Sequence, residues 1–158
     1  TIEILYNRSL MYLILFLILS LHAIGQQVLI QEGEEIIENQ SKKGYSTTIE
    51  LDLSIITKEW QKKLKESGNL KSKSNIYTVE MANIPSISSA SLKIYSKVEA
   101  TIKGGKVWFA VDLMPNTNQT DNNISGENAK KYLRDFAVQL YIEDINSQIK
   151  DAEKILNI

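Results

Sequence analysis

The stretch SLKIYSKVEATIKGGKVWFAVDLM, Ser91 to Met114, constrains the fold more than any other part of this sequence. Leu92, Ile94, Val98, Ala100 and Ile102 recur at even spacing, and "VWFAVDLM" follows after Gly104-Gly105. Two alternating runs joined by a Gly-Gly pair predict a two-residue hairpin. With the glycines at the turn, Ile102 faces Val107, Ala100 faces Phe109 and Val98 faces Val111, all on one side. The other side receives Thr101 with Trp108, and Lys97 with Asp112 as an opposite-charge pair. A slip of one residue would turn the apolar set out to water.

Further elements group around this hairpin. "YSTTIELDLSII" alternates Ile49, Leu51, Leu53 and Ile55 against Glu50, Asp52 and Ser54, which reads as a half-buried strand. Thr57 then offers an N-cap, Glu59 an acidic first turn, Trp60 and Leu64 one apolar face, and Gly68-Asn69 a stop: a short helix. "NIYTVEMANI" reads as a second strand, closed by Pro85 and a serine-rich loop. From Gly126 to Leu156 the pattern is helical with two stripes. Ala129, Leu133, Phe136, Ala137 and Leu140 form the first. Val138, Ile142, Ile145, Ile149, Ala152 and Leu156 form the second, at the 4-3-4-3-4 spacing of a coiled-coil seam.

The expected architecture is therefore α+β, a two-layer β-α-β-β-β-α sandwich. It has a four-stranded antiparallel sheet, both helices on one face and a long C-terminal helix. The element order resembles that of TATA-binding-protein-like folds, a likeness of architecture that carries no function.

The apolar run Leu10–Ile24 has the length of a signal-peptide core, follows Arg8, and ends in "AIG" before Gln26-Gln27. It is shorter than the roughly 20 apolar residues a membrane span needs. The expectation is a signal peptide over 1–25, a connector over 26–44 and one domain over 45–158. An uncleaved anchor and a buried core helix are the competing readings of the leader. The implied location is secreted or periplasmic, with membrane contact only transiently through the signal peptide.

This division bears on chemistry. The chain has no cysteine, and its single histidine, His22, lies in the leader. Without both, thiol nucleophiles, Ser-His pairs and zinc sites with N/S ligands are excluded. The formal net charge of -1 gives no field that would gather nucleic acid. No catalytic residue, metal site or cofactor is therefore assigned, and no nucleic-acid partner.

Weaker signals have plainer explanations. Glu50 and Asp52 lie two apart, as a carboxylate pair might, but alternation alone produces that on any solvated strand. Asp121, Asn123, Ser125 and Gly126 resemble the start of a calcium loop, yet the position that needs a bidentate carboxylate is Tyr132. Ser125 as an N-cap and Glu127 in the first turn explain the same residues. Asn39, Asn118 and Asn123 begin N-x-S/T triplets of the kind polar loops produce by chance. Lys58–Lys73 holds six lysines against two glutamates, the solvated face of a short helix or a patch for polyanions.

Two candidate surfaces remain. The hairpin register puts Tyr95, Lys97 and Trp108 on the outer sheet face, as a small-ligand or glycan-binding surface or as a floor covered by the N-terminal connector. The long helix should overhang the sheet, since about thirty residues span ~45 Å and a ten-residue strand about 33 Å. Its second stripe, notably Ile142, Ile145, Ile149, Ala152 and Leu156, would then be an assembly seam for a protein partner or for self-association.

The motifs "AIGQQ", "STTIELDL", "IPSISS", "LKIYSKVEA" and "KYLRDFAVQLYIEDI" resemble those of a group of secreted α/β proteins from Bacteroidota-type bacteria. The likeness covers roughly Tyr45 to Ile149. It implies export and a last helix that continues into a charged coiled-coil tail, and it brings no activity or catalytic residues.

Overall fold

A computed structural model describes residues 28–114 and 124–156. The leader, the first part of the calcium-like loop and the Asn118 triplet lie outside the described residues. The elements are β1 (Gln31–Ile37), β2 (Gln40–Ile49), α1 (Leu53–Ser67), β3 (Asn69–Lys73), β4 (Ile76–Ala82), β5 (Leu92–Thr101), β6 (Gly104–Leu113) and α2 (Gly126–Leu156). The strands form one antiparallel sheet in the order β1-β2-β6-β5-β4-β3.

The sheet has six strands where the sequence pattern gave four. The first addition is β1 with the start of β2, which fills the expected connector. Its turn uses Glu38 and Asn39, both at positive φ (52° and 63°), the twist that two-residue hairpins favour. The second is β3, a polar edge strand (Asn69, Lys71, Ser72, Lys73) whose exposed side chains leave no alternation to read.

The first helix starts earlier than Thr57. Asp52 is the N-cap and accepts the Ser54 amide at 2.7 Å. Leu53, Ile56, Trp60 and Leu64 then follow at helical spacing, and Ile56, Trp60 and Leu64 are fully buried. The strand reading would have buried Ile55, which is exposed. Gly68 ends the helix as expected.

The β5–β6 register also differs. The turn is Ile102-Lys103, and Thr101 faces Gly104, Val98 faces Val107, and Lys97 faces Trp108. The glycines serve close approach instead of the turn. A side chain at Gly104 would collide with the backbone of Ile49 and Leu51, and one at Gly105 would meet Leu53 at 2.9 Å. The shift is even, so the expected faces survive while the pairs change. Asp112 faces Lys93, not Lys97, and Ile102 is fully exposed at the turn.

Both helices cover one face of the sheet. Trp60 stands at the centre, edge-on to Phe109 (ring centres 5.6 Å apart) and tilted on Phe136 (4.7 Å), while Tyr132 stacks on Phe109 at 5.4 Å. These rings join Ile49, Val79, Ile94, Val98, Val107 and Leu133 in one core. The aromatic contacts add about 0.5–1.5 kcal/mol each to the burial itself.

The other face carries a second, smaller core. β2 pairs with β6 only from Tyr45 to Ile49, so the outer half of the β1–β2 hairpin leaves the ladder at Gly44. A Cβ at Gly44 would lie 2.6 Å from the Phe109 carbonyl and 2.8 Å from the Trp108 ring. Only glycine lets the hairpin cross so closely. Ile37 near the hairpin tip then packs with Tyr95, Trp108 and Ala110.

Candidate functional site

α2 has two faces with different fates. Ala129, Leu133, Phe136, Ala137, Leu140 and Tyr141 are buried against the sheet and α1, and no later residue of the helix is. Tyr141 closes the packed half, its hydroxyl accepting the Glu50 amide N–H at 2.9 Å. Beyond it the helix runs on to Leu156, about 22 Å at 1.5 Å per residue.

The second stripe lies on the solvent side. Val138, Ile142, Ile145, Ile149 and Leu156 are each between 38% and 47% exposed, and Ala152 is half-buried. Scattered exposed aliphatics need no explanation, but a continuous row at seam spacing does. Polar contacts brace the rest of the surface: Lys131 with Asp135, Gln139 with Glu143, Gln148 with Asp144, and Lys154 with Asp151. No charged side chain interrupts the row itself. Such a row carries no titratable or nucleophilic side chain.

The structure brings Tyr95, Lys97 and Trp108 together and covers them. Lys97 faces Trp108 directly, and Tyr95 faces Ala110 one step along. Trp108 is 2% exposed and Tyr95 5%. A stacking surface for a ligand needs open ring faces, and the β1–β2 hairpin occupies that space. Trp108 Nε1 donates to the Gly33 carbonyl at 3.4 Å. Glu35 reaches Lys97 Nζ at 3.2 Å and Lys106 Nζ at 3.6 Å, and Lys42 Nζ meets Asp112 at 2.6 Å.

These partners hold the lysines charged. Hydrogen bonds to Glu99 and Glu35 raise Lys97 above its ordinary value, and the bond to Asp112 raises Lys42. Lys93 is raised by the Tyr95 hydroxyl beside it, with Glu38 and Glu80 adding to the effect. The ammonium groups of Lys42 and Lys93 lie 4.8 and 5.0 Å from the Tyr95 ring centre. The arrangement is a satisfied internal layer.

The remaining candidates have structural employment. Glu50 lies past the end of β2 and pairs with Lys103 at 3.5 Å, while Asp52 caps α1. Ser125 accepts the Asn128 amide at 3.3 Å, the N-cap role read from the sequence. In the lysine-rich segment, Lys58 and Lys62 share Glu59, Lys63 meets Glu66, and Lys71 meets Glu80 at 3.1 Å. Between α1 and α2 runs a groove of about 150 Å³ bordered by Glu59, Lys63, Glu66, Phe136 and Glu143, below the ~300–1,000 Å³ of small-molecule sites. Among the described residues no group of three or more His, Cys, Asp or Glu is placed to hold a metal ion. Nor, among them, is any helix long and apolar enough to cross a membrane.

Sequence reasoning missed the hairpin residues Glu35, Ile37 and Lys42. Only Glu35 and Ile37 turn side chains to the covered face, and one of the two is a carboxylate, so no period of two shows. No family model, curated protein or solved structure matches this chain.

Proposed function

We propose that this chain is an exported, non-enzymatic binding or assembly module whose contact element is the C-terminal half of α2. The observation that carries this reading is the row Val138, Ile142, Ile145, Ile149 and Leu156, exposed at seam spacing on the solvent side of α2 and running on past the last buried residue, Tyr141. Burial drives apolar association at about 25 cal/mol per Å², so a row that the fold leaves in water favours a partner. The "AIG" leader supports export to a secreted or periplasmic location, and the likeness to exported Bacteroidota-type proteins agrees with it.

Site-specific photo-crosslinking tests the reading. A photoreactive residue in place of Gln148, beside the seam, is introduced in the producing cells. The expected result is a discrete adduct, to a second copy or to one other protein, that disappears when Ile145 is replaced by Asp. No adduct, or one insensitive to Ile145→Asp, overturns the reading.

A further inference from the structure

We infer that the seam's occupant is a second copy of this chain, lying antiparallel across it to make a two-fold helical dimer. The inference rests on the seam being a contact surface and goes on to say what it contacts.

The seam is sterically open along its whole length. At about 100° per residue, its centre lies roughly 140° around α2 from the buried stripe of Leu133, Phe136 and Ala137. Val138 is thus exposed even where the helix still packs on the sheet. A second helix fits there without touching the core.

Shape then selects the direction. In heptad terms Ile142, Ile149 and Leu156 are a positions, and Val138, Ile145 and Ala152 are d positions. A parallel, in-register pair stacks each residue on its own copy. Ala152 would meet Ala152 across a gap, and Val138 and Ile145 would put β-branched side chains at d, which two-stranded parallel coils disfavour. Reversing one helix matches every a with a d. Val138 then meets Leu156, Ile142 meets Ala152, and Ile145 meets Ile149, each pair occurring twice about the axis. Small side chains face large ones.

The flanks agree with this pairing. On one side Gln139 faces Glu153 and Asn146 faces itself; on the other Gln148 faces itself. No like charges meet, and each amide side chain has both a donor and an acceptor for its counterpart. The helix dipoles oppose, which is favourable for neighbours. The two sheet bodies, packed on residues up to Tyr141, fall at opposite ends, and the two-fold closes the assembly at a dimer.

The chain has no cysteine, so single substitutions give a clean readout. Ile145→Cys and Ile149→Cys variants of the full chain are oxidised separately and as a mixture, then resolved without reductant. In the antiparallel pair Cys at 145 faces Cys at 149 of the other copy. Like positions are offset by ~6 Å along the axis between helices ~8–10 Å apart, beyond the ~7 Å Cα limit of a disulfide. A covalent dimer is expected in the mixture alone. Homotypic disulfides in either variant by itself overturn the antiparallel arrangement, as does a mixture that yields no covalent dimer. A monomer in sedimentation equilibrium at every concentration overturns the second copy as occupant. An adduct from position 148 to a different protein, alongside that monomer, would leave the seam a contact surface; no adduct at all would remove both.

Discussion

The indole N–H of Trp60 donates to the hydroxyl of Ser96, 2.8 Å away, and that hydroxyl donates in turn to the Trp108 carbonyl at 2.5 Å. This chain passes from α1 through the plane of the sheet to the residue that floors the outer layer. Ser96 is fully buried among apolar neighbours, a position where a hydroxyl survives only with both bonds made. Ser96→Ala leaves the buried indole N–H without an acceptor and should cost about 1–3 kcal/mol. Chemical denaturation checks this. Combined with Trp60→Phe, the two losses should fall short of additive by about 1 kcal/mol.

The outer layer depends on Gly44. Gly44→Ala places a methyl against the Phe109 carbonyl and the Trp108 ring and should destabilise by about 1–3 kcal/mol. In a Trp60→Phe background, Trp108 reports on the layer. Its emission should be blue-shifted and shielded from acrylamide in the parent, and red-shifted and quenchable when Gly44→Ala lifts the hairpin.

Glu35 is the hairpin's main electrostatic tie. Its carboxylate lies between Lys97 and Lys106, and both Glu35 and Lys97 are largely withdrawn from water. Glu35→Gln leaves Lys97 with Glu99 alone and should cost about 1–2 kcal/mol. The loss, read from denaturation midpoints, should shrink as salt is raised.

How far the sequence reveals this architecture follows from what each residue meets. Leu133, Phe136 and Leu140 face one continuous apolar surface, so their helical spacing was legible, as was the inward face of β5 and β6. Gly104-Gly105 misled because glycine serves both turns and close approaches, and only the neighbouring backbone of Ile49 and Leu51 decides which. The β1–β2 hairpin was illegible because β1 turns only Glu35 and Ile37 inward, while Gly33 contributes its carbonyl. The hairpin's contacts are with Trp108, Lys97 and Tyr95, some sixty or more residues away. Tyr95, Lys97 and Trp108 share one face as their alternation implies, and of the two readings open for that face, ligand surface or floor under the N-terminal connector, the described residues show the connector lying on it.

The start of α1 gives a pH-dependent test. The Ser54 hydroxyl and amide donate to the Asp52 carboxylate and hold it below its ordinary value of 3.8. The folded chain therefore binds this proton less readily than the unfolded one. The stabilisation is complete above the unfolded value and is lost as pH falls through the lower folded value. Asp52→Ala should melt below the parent at about pH 6, and the gap should narrow as pH falls below the ordinary carboxylate value. Thermal melts monitored by circular dichroism across that range check the sign.

The two stripes of α2 should separate cleanly by substitution. Leu133 is fully buried in the same core as Trp60 and Phe109, so Leu133→Ala removes a packed side chain and leaves a cavity, at about 2–5 kcal/mol. Ile149 sits on the unpacked half of the helix with 41% of its surface in water. In dilute monomer, Ile149→Ala should change stability by no more than about 0.5 kcal/mol. Raising the protein concentration should separate the two further. If the seam pairs, the parent's melting temperature climbs with concentration while that of Ile149→Ala climbs less, since mass action stabilises only what associates. Leu133→Ala keeps the seam and should retain the parent's concentration dependence from a lower starting point. Equal concentration dependence in the parent and Ile149→Ala would detach the exposed row from any role in association.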